Sequence, residues 1–183
     1  NNVKIISNSY EHINKIKSDN TIFNKIKEVR REQYFFTLGT VQKSKNIDWI
    51  LNIAKKYPNE KFVITGYKNQ KIKFNLDNVI YTGYLSDEEI KALMENCKAY
   101  IIPSFYEGFG IPPLEAFALG KNVIASEIPV MHEIFENEVT YINPKKYEVD
   151  LNNLVKVENR EKILNKYSWR KSAKNLIEII KNI

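Results

Sequence analysis

Glu107 and Glu115 stand with seven residues between them, and the stretch Pro103–Gly120 around them holds half of the chain's six glycines and half of its six prolines. Glycines at 108 and 110 free backbone amides, and a helix starting just beyond them would aim its own amides and positive dipole end at the same space. Such a junction suits an anion such as a phosphate. The two carboxylates flank it.

Elements on both sides position this loop. Ala99–Ile102 is an apolar run that reads as a buried strand, and Pro113–Leu119 reads as a short helix with proline in its first turn and Gly120 past its end. Upstream, residues 34–39, 61–66 and 79–83 each read as a strand closing on a glycine, at Gly39, Gly66 and Gly83. Ile47, Ile50, Leu51 and Ala54 give a helical face stopped by Pro58, and Ser86 with Glu89 spells a capping box for a helix through Met94. Downstream, 122–126 is a fifth strand, Met131–Phe135 a short helix and 139–142 a last strand. From Tyr147 the pattern reads as helical, with a break at Ser168-Trp169 and a final apolar face of Ala173, Leu176, Ile177 and Ile180. Val3–Asn8 reads as a strand-like linker, and part of 10–31 as a surface helix. His12, in that segment, is expected to be solvated, and His132 to be a structural, partly buried side chain.

Alternating strands and helices predict an α/β fold with a parallel sheet and right-handed crossovers. Ligands of such sheets bind at the carboxyl ends of the strands, where the glycines fall. A P-loop is absent, and Gly108-Phe109-Gly110 lacks the third glycine of the dinucleotide fingerprint.

At 183 residues the chain suffices for one domain with its own core. Its single cysteine, Cys97, is expected to be a small core residue, since it has no internal disulfide partner. The excess of 28 basic over 22 acidic residues, net +6, is spread along the helices without a nucleic-acid module, so a solvated lysine-rich surface is expected and no nucleic-acid partner. No apolar run approaches the roughly 20 residues of a membrane span. The N-terminus also lacks the apolar core of a signal peptide, and a cytoplasmic location is expected.

The Pro103–Gly120 stretch resembles the Glu-x7-Glu signature of retaining GT-B glycosyltransferases of the "glycosyl transferases group 1" type (glycosyltransferase family 4). Gly39-Thr40-Val41-Gln42-Lys43-Ser44-Lys45-Asn46 is similar to that family's first glycine loop with its phosphate-binding lysine. Phe62–Gly66, ending in Thr65-Gly66, is similar to its second strand, and Thr82-Gly83-Tyr84-Leu85-Ser86 to the turn that cradles the base. Ser126–Pro129 with Glu133-Ile134, and Ser168-Trp169, match its later runs, so the resemblance covers roughly residues 3–183.

The resemblance implies a Rossmann-like sheet flanked by helices on both faces. The chain would be the C-terminal, donor-binding half of a two-domain enzyme, with the N-terminal acceptor domain absent and 168–183 its C-terminal helix. It implies transfer of a hexosyl group from a UDP-, GDP-, ADP- or dTDP-linked sugar to a saccharide or lipid-linked acceptor. A non-catalytic nucleotide-sugar-binding or regulatory module of the same fold is the alternative. Glu115 would accept both ribose hydroxyls from the first helical turn, and Glu107 would contact the transferred sugar. Backbone at Gly108, Phe109, Gly110 and Ile111, with Ser104, Gly39, Thr40, Thr65 and Gly66, would complete the donor site, with Tyr84 and Leu85 facing the base. Lys45 would neutralise the diphosphate, so no metal or other cofactor is expected. The family often has an arginine where Thr40 or Ser44 stands; Lys43 or a residue of the other half would supply that charge. A full-length protein of this type can associate peripherally with the inner face of the membrane.

Overall fold

The computed structural model describes residues 4–29, 31, 33–39, 42–66 and 76–181. Six parallel strands form one sheet: β1 (Tyr34–Leu38), β2 (Lys61–Thr65), β3 (Val79–Gly83), β4 (Ala99–Ile102), β5 (Asn122–Ser126) and β6 (Thr140–Ile142), in the spatial order β3-β2-β1-β4-β5-β6. β1 pairs with β2 in register Tyr34 to Lys61, and β4 with β5 in register Ala99 to Asn122. The chain order reverses between β1 and β4. A crevice opens at such a switch point because the loops after the two strands leave in opposite directions. The expected Rossmann-like α/β fold is therefore the one observed.

The strands are apolar on both faces because helices cover both. One core layer gathers Tyr34, Phe36, Val63, Tyr100, Leu114, Phe117, Val123 and Phe135; the other gathers Phe35, Trp49, Ile53, Phe62, Ile64, Ile101 and Ile124. The helices are α1 (Ile22–Lys25), α2 (Ile47–Lys56), α3 (Asp87–Glu95), α4 (Ile111–Ala118), α5 (Pro129–Phe135), α6 (Arg160–Leu164) and α7 (Trp169–Lys181). The Ser86 capping box at α3 forms in both directions. Cys97 is buried, and burial pushes its thiol up to about 12. An alkylating reagent at pH 8 is therefore expected to leave native protein unmodified and to label Cys97 once denaturant exposes it. Labelling at equal rates would contradict this placement.

Three sequence expectations need correction. In the segment expected to hold a surface helix, residues 10–29 contain a 3-10 turn (Glu11–Lys15) and the single-turn α1, and Ile13, Ile22, Ile26 and Val29 are buried, so this segment packs on the core. Residues 147–159 are not helical; helix resumes only at α6. Residues 4–10 have no regular structure, and Ile5 is exposed. α7 also leaves Leu176, Ile177 and Ile180 exposed, and among the described residues no helix is long and apolar enough to cross a membrane.

Candidate functional site

A cleft of about 390 Å3 lies at the switch point, lined by Leu38 from β1, Tyr100 and Ile102 from β4, Lys45, Asn8 and the 107–112 loop. Its charged pair is Lys45 and Glu107, with Nζ 2.7 Å from Oε1. Both are well covered, with side chains 30% and 12% exposed, so the pair is shielded from much of the solvent screening that weakens surface ion pairs.

The loops that hold Lys45 and Glu107 are fixed to each other. Lys43–Lys45 is a 3-10 turn closed by Asn46, whose backbone is left-handed at φ 52°. Asparagine tolerates that conformation better than most residues. Asn46 Nδ2 then donates to Pro103 O at 3.0 Å and Pro144 O at 2.8 Å, tying the ends of β4 and β6 to the start of α2. Phe105 N donates to Ser44 O at 2.9 Å. Below them, Leu38 N donates to the Tyr100 hydroxyl at 3.3 Å. Gly39 packs against the Ile47 side chain, whose terminal methyl would have to shift to admit a Cβ there.

Gly110, at φ 101°, is the residue before α4. The helix thus starts at Ile111, two residues earlier than the prolines suggested. Glu115 consequently sits in the second turn, not the first, where the dipole of the helix start has largely faded. It is 8% exposed, and burial holds its carboxyl above the usual range. The group that opposes this is His12, with Nε2 2.5 Å from Glu115 Oε1. His12 is exposed, as expected, and the contact with Glu115 adds a partner that the sequence did not indicate. His132 is exposed and stacks on Tyr141 at 4.0 Å, rather than being partly buried.

The structure brings Lys45, Glu107, Gly108, Phe109, Gly110 and Ile111 to one cleft. Lys43 lines a neighbouring depression with Phe105 and Tyr147. Thr65 is buried with its hydroxyl paired to Thr82, and Gly66 N donates to Gly83 O at 3.0 Å, one strand further out. Leu85 packs in the core while Tyr84 is exposed beside it. Ser104 Oγ is buried and has no hydrogen-bond partner among the described residues. Thr40 lies outside the described residues. Residues that the sequence reading missed and that take part include Asn8, His12, Asn46 and Tyr100. The placement of Tyr100 followed from its strand, but nothing in the sequence linked His12 to Glu115.

Among the described residues no cluster of three His, Cys, Asp or Glu is placed to hold a metal ion. What the arrangement offers is one cation against one carboxylate at a glycine loop, and a second carboxylate on the helix that follows.

Comparison with known proteins gives the chain's relatives and its fold. The chain is 31% identical over 170 residues to the O-antigen chain mannosyltransferase RfbU of Salmonella typhimurium, covering 86% of this chain and 48% of the relative. It is 27% identical over 160 residues to the serotype-specific mannosyltransferase WbdA of Escherichia coli, covering 76% and 18% respectively. The chain thus spans less than half the length of these relatives. Anabaena HepE in complex with UDP and glucose superposes with a TM-score of 0.74 at 17% identity, over 98% of this chain and 57% of that one. The C-terminal domain of the group 1 glycosyl transferase LpcC of Francisella tularensis matches over 84% of both chains, with a TM-score of 0.56 and 21% identity. These superpositions show a shared GT-B-type Rossmann-like fold. The family described as "Glycosyl transferases group 1" matches residues 18–182, and the chain belongs to it.

Proposed function

We propose that this chain binds the nucleotide-diphospho-sugar donor of a retaining hexosyltransferase whose acceptor is a saccharide or lipid-linked saccharide. The acceptor would be held by a second Rossmann-like domain. The observation on which the reading rests is the partly buried Lys45–Glu107 pair facing the Gly108–Gly110 loop at the sheet's switch point. The mannosyltransferase relatives and the UDP and glucose bound to HepE support a hexose donor.

In this reading the diphosphate lies against the amides of 108–111 and the Lys45 ammonium. As the sugar departs, negative charge grows on the diphosphate, and these fixed donors stabilise it electrostatically without a proton transfer. Glu107 accepts from sugar hydroxyls and Glu115 from ribose hydroxyls, while exposed Tyr84 at the end of β3 lies beside the base. Lys43, on the far side of the 3-10 turn from the cleft, adds long-range positive charge.

Calorimetric titration with UDP, GDP, ADP and dTDP and their hexose conjugates tests the proposal. One nucleotide series is expected to bind, with the sugar conjugate at least as tight as the free diphosphate. Failure of all four series to bind a folded sample would overturn the reading.

A further inference from the structure

We propose that His12 is a positioning residue for Glu115, holding that carboxylate ionised and oriented so that its free oxygen accepts the ribose hydroxyls of the donor. The inference rests on the donor-site reading above, and it assigns to the N-terminal segment a part in nucleotide recognition.

Geometry comes first. The His12 imidazole occupies Oε1 of Glu115 at 2.5 Å. Oε2 forms no hydrogen bond among the described residues, and it is not one of the sealed, unpartnered buried atoms, which among them number only Ser104 Oγ. Glu115 therefore presents one engaged oxygen and one available oxygen. A carboxylate that must accept from a diol needs to be ionised, because a protonated carboxyl has lost acceptor capacity on one oxygen. Leu114, Ala116 and Phe117 around it are fully buried, and that apolar setting favours the neutral form. Helix α4 itself brings no cation to Glu115. The other ionisable groups felt at this site are Asp87 at the start of α3 and Tyr100 on β4, and neither supplies positive charge. Among these groups only the imidazole of His12 opposes the burial.

His12 is also held in place from both sides. Its neighbour Glu11 accepts from Trp169 N at 2.7 Å and from Ser168 Oγ at 3.2 Å. Ser9 Oγ donates to Tyr167 O at 2.9 Å, and Ile13 is buried behind the turn. The imidazole itself is 45% exposed, so these anchors fix the segment that carries it and it reaches Glu115 from the solvent side. The same segment supplies Asn8 to the Lys45–Glu107 cleft, so residues 8–12 touch both ends of the proposed donor site.

The experiment measures affinities of the 183-residue chain for UDP, GDP and ADP and their 2′,3′-dideoxy counterparts, and for dTDP and its 3′-deoxy counterpart, in wild type, His12→Ala, His12→Gln and Glu115→Ala. Wild type is expected to prefer the ribose form of the nucleotide it binds by about tenfold or more, the scale of hydrogen bonds to a charged acceptor. His12→Ala should lower that preference to about twofold while leaving dideoxy affinity unchanged. His12→Gln, which can still donate to Oε1, should retain an intermediate preference, and Glu115→Ala should abolish it. A His12→Ala chain that keeps the full preference overturns the proposal, as does one that weakens ribose and dideoxy forms alike. A wild-type chain that binds both forms equally removes the ribose role of Glu115 and with it that of His12. No binding of any form by folded wild type overturns the donor-site reading as well.

Discussion

Asn46→Ala is expected to destabilise the chain by about 3 kcal/mol, and more than Asn46→Gly, which should cost roughly 2 kcal/mol. Two separable terms produce this order. Both variants lose the Nδ2 bonds to Pro103 O and Pro144 O, and the Pro103 carbonyl is buried, so it is left without a partner. Alanine alone must also adopt φ 52°, where a Cβ crowds the following carbonyl; glycine does so freely. Although Asn46 precedes α2, its side chain makes no cap bond there, so the usual helix-start preference for asparagine does not enter. For a chain of this size the alanine variant should melt roughly 6–12 °C lower than wild type by circular dichroism, with the glycine variant between them. A glycine variant less stable than the alanine variant would show that the backbone at 46 is not strained. Because Asn46 closes the turn that carries Lys45 and ties it to the loop that carries Glu107, both variants should also weaken nucleotide binding.

The framework of this site was legible because its signals are local. Tyr34–Leu38, Lys61–Thr65 and Val79–Gly83 are apolar runs ended by glycine, and the Ser86 box needs only four residues to declare itself. Lys45 and Glu107 could be nominated by resemblance, and the strand order explains why they meet: their loops follow β1 and β4, the two strands at the reversal. In the N-terminal segment Ile13, Ile16, Ile22, Phe23, Ile26 and Val29 are scattered among lysines and asparagines, which reads as a surface helix and hides that several of them face the core. They are carried by separate turns. Thr21 N donates to the Asp19 carboxylate at 2.9 Å, and Asp19 N donates to Glu88 O at 3.0 Å, so the backbone is spent on an Asx turn and on the first turn of α3. Residues 147–159 failed as a helix for a similar reason. Asn152 N turns onto the Asp150 carboxylate, and Glu158 N and Asn159 N donate to Glu138, whose carboxyl is held below its usual range by those bonds. The His12–Glu115 contact joins residues roughly a hundred positions apart, and no periodicity encodes such a pairing.

Lys45→Ala and Glu107→Gln should have opposite effects on the free nucleoside diphosphate although they remove the two halves of one ion pair. Lys45 is the cation at the glycine loop, and a hydrogen bond to a charged partner contributes about 1.5–3 kcal/mol, so its loss should weaken nucleoside diphosphate binding roughly 10- to 100-fold. Glu107 sits 2.7 Å from that ammonium and competes for it. Converting Glu107 to the neutral amide removes a negative charge beside the diphosphate and releases Lys45, so the free nucleoside diphosphate should bind as well as in wild type or several-fold tighter. The sugar conjugate behaves differently, because a carboxylate accepts hydroxyl protons about twice as strongly as an amide oxygen. Its affinity should fall about tenfold in Glu107→Gln, so the conjugate's advantage over the free diphosphate shrinks or reverses. Isothermal titration of both ligands against the three proteins reads all of these quantities. If Glu107→Gln weakened the free diphosphate as much as Lys45→Ala, Glu107 would be acting only to place Lys45, and its contact with the sugar would have to be abandoned.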